Sequence, residues 1–173
     1  MVVPAVALVG GLALATVRET VPTGGAASMP SMRMQPGADH LGISLRDVDG
    51  RPMRMPDGRA GAVLVMATHG CGDCLNIAKR LDAAASRAPS RPAVALVGVD
   101  TEEGRQDFER FDRAAGGLDA RYALDDASGS ITRLLGAREL GTVVVYDPQG
   151  MVIERVRPGT RQATRVEAAL GIR

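Results

Sequence analysis

The sequence predicts an α/β fold in which a central mixed sheet carries flanking helices and is preceded by an N-terminal β-hairpin. Three observations lead there. Residues 61–68 and 93–99 are short, continuous apolar runs, as expected of strands buried on both faces. Between them, apolar side chains at Cys74, Ile77, Ala78, Leu81, Ala84 and Ala85 recur at helical spacing. Before them, apolar and polar residues alternate over residues 43–55 about Asp49-Gly50, which is a hairpin signature.

Taken from the start of the chain, residues 1–18 are almost uninterruptedly apolar, near the lower length limit for a membrane span. This stretch reads as a signal or a membrane anchor. No Lys or Arg precedes it and Arg18 follows it, which is against the usual signal-peptide charge order. A buried strand or helix has the same composition, and periodicity does not separate the readings. Residues 19–37 turn to Pro, Gly, Ser, Thr and Met without periodicity, as a flexible linker does. The folded domain is expected over residues 38–173.

Within that domain the hairpin comes first, then the strand at 61–68, then a helix opening at Cys71 and closed by Pro89 and Pro92. The strand at 93–99 completes a right-handed βαβ crossover with both cysteines on its first strand-to-helix turn. Helices follow over about 103–115 and 128–135. A second hairpin is expected over residues 142–157, turning at Pro148-Gln149-Gly150, and a last helix over about 160–170.

A length of 173 residues suits one domain plus a tail. Apolar residues make up 45% and charged residues 24%, a globular composition, but aromatics are only 2%, so the core must be built from Val, Leu, Ile, Ala and Met. A formal net charge of +1, with no aromatic-interleaved basic stripe, argues against a nucleic-acid partner.

Cysteine usage is more informative. The only two cysteines, Cys71 and Cys74, are separated by two residues, and none remains for structural bridges. A four-thiolate zinc site needs two such pairs, and a mixed site needs histidines at ligand spacing, whereas the chain has only His40 and His69. No metal and no cofactor is expected. The reactive species in disulfide exchange is a thiolate, which a helix N-terminus stabilises through its free N–H groups and dipole. Cys71 is placed there as the nucleophile, and Cys74 as the thiol that resolves a mixed disulfide. Two inert buried cysteines are the competing reading, against which stand the Gly-rich flanks. His69 and Asp73 are candidates for tuning Cys71. The charge of Asp73 would oppose a thiolate there, or the residue would simply complement the helix dipole.

At these residues the sequence resembles the thioredoxin-like superfamily, specifically the extracytoplasmic TlpA/ResA type of thiol–disulfide oxidoreductase and the related redoxin domains. The likeness spans about residues 38–173. It rests on Leu45-Arg-Asp-Val-Asp-Gly-Arg51, Val65-Met-Ala-Thr-His-Gly-Cys71, Val97-Gly-Val-Asp100 and the run from Leu135-Gly-Ala-Arg to Tyr-Asp-Pro-Gln-Gly150. The resemblance implies a thioredoxin-like fold and thiol–disulfide exchange with protein substrates. It also implies recharging by an electron-donating redox protein, outside the cytoplasm, with the chain anchored or secreted. Leu140, Gly141 and Thr142 align with the substrate-binding loop that faces the cysteines. Three positions depart from the pattern: Gly70 replaces the usual aromatic before the first cysteine, and Gly141 replaces the usual cis-proline. No buried acid stands on the strand before the site. A glycine enforces no cis bond, so Leu140-Gly141 is expected to be trans and the surface there more open.

Thr68-His-Gly-Cys71 resembles the Thr-x-x-Cys of peroxiredoxin-like thiol peroxidases, but the arginine expected before Gly141-Thr142 is Leu140, which removes the main electrostatic support for peroxide. Met29, Met32 and Met34 suggest Cu(I) binding or delivery, although cysteine spacing and the lack of a histidine after His69 do not match the copper-delivering relatives. Arg157, Arg161 and Arg165, four apart, form either a basic stripe or a solvated helix face.

Overall fold

The leading hairpin forms where the alternation places it. Strand β1 (Ile43–Arg46) pairs antiparallel with β2 (Pro52–Met55), Ile43 opposite Met55 and Leu45 opposite Met53, so four apolar side chains share one buried face. The structure, a computed structural model, describes residues 40–172. The expected signal or anchor at 1–18, the linker at 19–37 and the methionines at 29, 32 and 34 lie outside the described residues.

After the hairpin come β3 (Gly61–Met66), α1 (Cys74–Arg87), β4 (Ala93–Gly98) and α2 (Arg105–Ala115). They are followed by β5 (Arg121–Leu124), α3 (Ser130–Leu135), β6 (Val143–Tyr146), β7 (Val152–Val156) and α4 (Gln162–Ala169). The five long-range strands form one mixed sheet in the order β5-β4-β3-β6-β7. β3, β4 and β5 are parallel, while β6 runs antiparallel to β3 and β7 antiparallel to β6.

Side-chain alternation divides this sheet between two cores. Ala62, Leu64 and Met66 of β3, Val94 and Leu96 of β4, and Val143 and Val145 of β6 face α1, α2 and α4 with Leu81, Phe108, Phe111 and Val166. Val63 and Val65, Ala95 and Val97, and Val144 and Tyr146 face the other way, onto the hairpin and Leu135 of α3. Both faces of β3 are therefore covered, which is why it reads as a continuous apolar run. Each fully buried Val or Leu contributes roughly 1.5–3 kcal/mol of transfer free energy, so the central strands carry much of the stability.

Three points differ from what the sequence predicts. The helix expected from Cys71 begins at Cys74; Gly72 and Asp73 form a turn that is closed by the Cys74 N–H donating to the Cys71 carbonyl at 3.3 Å. Strand β5 was not anticipated, because Arg-Tyr-Ala-Leu is short, and its ladder to β4 is what orders it. The three arginines also do not form one helix face: only Arg165 lies within α4, where it pairs with Glu154, whereas Arg157 precedes the helix and sits 3.6 Å from Glu139.

Candidate active site

Buried β3 ends at Met66, and the chain reaches the cysteines through an exposed turn. His69 and Gly70 are exposed, and Gly70 holds φ at +76°, a left-handed conformation that an aromatic residue adopts only with strain. A glycine at this position, in place of the aromatic that the resemblance leads one to expect, therefore fits the backbone. Cys71 and Cys74 form a disulfide with Cα atoms 5.4 Å apart. Their surroundings differ sharply. Cys71 is partly exposed between exposed Gly70 and Gly72, while Cys74 is 0% exposed and packs in the α1 core with Ala78 and Leu81. Since Cys74, not Cys71, holds the first helical position, the asymmetry between the two thiols rests on access and not on the helix terminus. Asp73 precedes the helix as its N-cap, exposed and without a side-chain capping bond.

The approach to Cys71 is tied down by a residue that sequence reasoning missed. Glu103, 5% exposed, lies between β4 and α2. Its Oε1 accepts from the Thr68 N–H at 2.5 Å, the Thr68 hydroxyl at 2.7 Å and the His69 N–H at 3.2 Å. No buried acid stands on β3 itself; the acid arrives instead from the loop after the neighbouring strand. Nothing in Thr101-Glu102-Glu103-Gly104 distinguishes buried Glu103 from exposed Glu102, because the difference arises from tertiary packing. The Thr68 hydroxyl, which a peroxidase would direct at peroxide, is engaged by Glu103. His69 is directed toward α2. Its Nε2 lies 3.4 Å from Asp107 Oδ1, and Asp107 also accepts from the Gly104 N–H and pairs with Arg110. The Gly104 N–H and the His69 ring hold the Asp107 carboxyl below its usual range.

Across the site, Leu140 packs against the same apolar cluster as Cys71 and Cys74. The Leu140-Gly141 bond is trans, since Met55-Pro56 is the only cis bond among the described residues. Gly141 has φ +85°; its N–H donates to the Val65 carbonyl at 2.8 Å and its carbonyl accepts from Gln162 Nε2 at 2.6 Å. The expected openness here is not found. Gly141 is buried, and a Cβ built on it would lie 3.0 Å from Ile77 Cδ1 and 3.3 Å from Pro158 Cβ. Thr142 is buried, its hydroxyl donating to the Glu139 carbonyl and its own carbonyl accepting from Val65. The backbone N–H and C=O of Leu140 have no partner among the described residues. Beside Leu140 opens a cleft of about 700 Å³ of mixed polar and apolar lining, reaching Thr101, Asp126 and Arg138.

Among the described residues, no three His, Cys, Asp or Glu side chains converge as a metal-ligand set, and no helix is long and apolar enough to cross a membrane. His40 is exposed and pairs with Met151 in a single bridge at the start of the described chain.

Solved structures share this architecture at low identity. A thioredoxin-like protein from Aeropyrum pernix superposes with a TM-score of 0.63 at 18% identity, covering 75% of this chain and 88% of that one. A secreted Mycobacterium tuberculosis disulfide oxidoreductase homologous to E. coli DsbE gives 0.60 at 15% identity, over 75% of this chain and 94% of that one. A thiol-disulfide oxidoreductase from Bacteroides fragilis gives 0.59 at 16% identity, over 73% and 95% respectively. No protein-family model and no curated protein sequence matches the chain. The chain thus has a thioredoxin-like fold, with its only cysteine pair at the turn between β3 and α1.

Proposed function

We propose that the protein is an extracytoplasmic thiol–disulfide oxidoreductase acting on protein substrates through the Cys71–Cys74 couple. The observation that carries this reading is the unequal access of the two sulfurs: partly exposed Cys71 stands ahead of fully buried Cys74 on the same turn. In the reducing direction the Cys71 thiolate attacks one sulfur of a substrate disulfide, forming a mixed disulfide and releasing the first substrate thiolate. Cys74, having lost its proton, then attacks Cys71 Sγ; the intermolecular bond breaks, the second substrate thiolate leaves, and the Cys71–Cys74 disulfide forms. Two electrons pass to the substrate, and a partner dithiol protein restores the pair. No cofactor takes part.

The unpaired peptide edge of Leu140 supports a role in receiving an extended substrate segment, with Gly141 and Thr142 holding that edge in place. Asp73 places a negative charge on the turn between the two cysteines in sequence, which disfavours a thiolate at Cys71 and makes the couple more reducing than a His there would. His69, docked on Asp107, contributes a second polar group next to the site. Location outside the cytoplasm is supported by the apolar residues 1–18 and by the secreted Mycobacterium tuberculosis relative, and it fits an anchored or an exported chain.

Paired serine variants test the reading. Cys71→Ser should abolish turnover of a protein disulfide, while Cys74→Ser should accumulate a mixed disulfide at Cys71 visible on a non-reducing gel. A mixed disulfide that instead forms in Cys71→Ser would reverse the roles, and turnover unaffected by either variant would reject the function.

A further inference from the structure

The four residues between β3 and Cys71 leave the sheet, and their N–H groups need acceptors elsewhere. The last ladder bond on this side is the Val99 N–H donating to the Met66 carbonyl at 2.9 Å. Beyond it, the Thr68 and His69 N–H groups have one acceptor among the described residues, Glu103 Oε1. Space for that carboxylate exists because residue 98 is glycine: a Cβ there would lie 3.1 Å from Glu103 Oε2 and 2.8 Å from the Phe108 ring. Oε2 itself is buried without a hydrogen-bond partner. A buried, half-satisfied carboxyl is a cost that an apolar side chain would avoid, so its presence calls for a compensating role. Asp107, from the same stretch of chain, holds the His69 ring. Two carboxylates from the start of α2 thus hold consecutive residues just before Cys71.

We infer that Glu103 is a positioning residue for the redox couple: its carboxylate fixes the Thr68–His69 backbone, so that the Cys71 sulfur of the reduced protein stays within reach of Cys74. The inference rests on the proposed thiol–disulfide activity. Holding two reacting groups in place raises their effective concentration. The clamp should therefore favour the intramolecular disulfide and speed its closure, making the protein a stronger reductant. The effect comes from accepting N–H bonds and not from charge, so glutamine, which offers the same carbonyl oxygen, should replace it.

The test is the equilibrium of the full chain with a glutathione redox buffer, together with the pH-independent plateau rate at which Cys74 resolves a Cys71–glutathione mixed disulfide. Glu103→Leu should shift the equilibrium about tenfold toward the dithiol, equivalent to about 30 mV, and slow resolution by a similar factor. Glu103→Gln should stay within about twofold of wild type in both readouts, since it retains the accepting oxygen. If Glu103→Leu does not fold, Thr68→Val, which removes only the hydroxyl bond, should shift both readouts in the same direction by a smaller factor. A folded Glu103→Leu or Thr68→Val variant with wild-type equilibrium and plateau rate would reduce Glu103 to a structural residue. A Glu103→Gln shift as large as that of Glu103→Leu would assign the effect to charge. Either result overturns the inference while leaving the activity standing. A wild-type chain that forms no disulfide equilibrium with glutathione would overturn the activity itself.

Discussion

Replacing Gly141 by proline would restore the residue that the family resemblance leads one to expect opposite the cysteines, and the structure indicates that this chain cannot accept it. Proline fixes φ near −65°, whereas Gly141 holds +85°. The change also deletes the N–H that donates to Val65 at 2.8 Å, and Val65 is buried at 1% exposure, so its carbonyl loses a partner at a cost of about 1–3 kcal/mol. Rotating the backbone to suit proline pulls the Gly141 carbonyl off buried Gln162, for a further loss of about 1–3 kcal/mol. The new ring must also enter space where even a Cβ would stand 3.0 Å from Ile77 Cδ1. The two lost hydrogen bonds alone reach about 2–6 kcal/mol, and with the ring clash added the cost is comparable with the whole stability of a marginal domain. Gly141→Ala keeps the N–H and should cost less, about 1–3 kcal/mol, from positive-φ strain and the close Ile77 and Pro158 contacts. Urea unfolding of the oxidised proteins should rank wild type above Gly141→Ala above Gly141→Pro. A proline variant within about 1 kcal/mol of wild type would refute the reasoning, because it would require a loop conformation other than the one described.

Two further predictions concern groups around the sheet. The chain has only two tyrosines, and burial, reinforced by Asp57, pushes the Tyr146 hydroxyl up to about 12. Burial and the hydrogen bond to Asp112 raise Tyr122 as well. A raised folded-state value means that the native protein keeps its protons where the unfolded chain loses them, so stability should fall as pH rises from about 10 through the folded values. Absorbance at the phenolate band should show neither tyrosine ionised in native protein near pH 10 and both titrating in urea; a native protein that titrates like the unfolded chain would contradict the described burial. Gln162→Leu keeps the volume but removes the donor to the Gly141 carbonyl, and should lower stability by about 1–3 kcal/mol in urea unfolding. An unchanged midpoint would mean that this carbonyl finds another partner.

What the sequence reveals of this fold follows from how local each signal is. The β3 run, the alternation in β1 and β2, and the helical spacing from Cys74 to Ala85 are written in neighbouring residues, and each element formed where that pattern lies. The cysteine spacing, together with its place after a buried strand, is legible in sequence alone, and the structure places the pair at the turn between β3 and α1. Strand β5 is not legible in sequence because four residues with a half-buried Tyr122 show no period; pairing with β4, and the Val48 N–H donating to the Tyr122 carbonyl at 3.0 Å, order them. The start of α1 lies three residues later than the sequence predicts, because Gly72 and Asp73 fit a helix start in sequence whereas the backbone turns before entering it. The roles of Glu103 and Gln162 were invisible because each depends on a partner far along the chain, Thr68 at 35 residues and Gly141 at 21. At Gly141 the sequence leads one to expect an open surface, and the structure shows a buried one. The missing ring does not open the surface, because Ile77 and Pro158 close it.

The claim that Cys71 attacks and Cys74 resolves is tested most directly by brief alkylation of the reduced wild-type protein at neutral pH, with the modified cysteine identified by peptide mass. The partly exposed Cys71 and the 0% exposed Cys74 predict that label accumulates first on Cys71, at a rate at least about tenfold above that of Cys74. Equal labelling of the two thiols, or faster labelling of Cys74, would contradict the account.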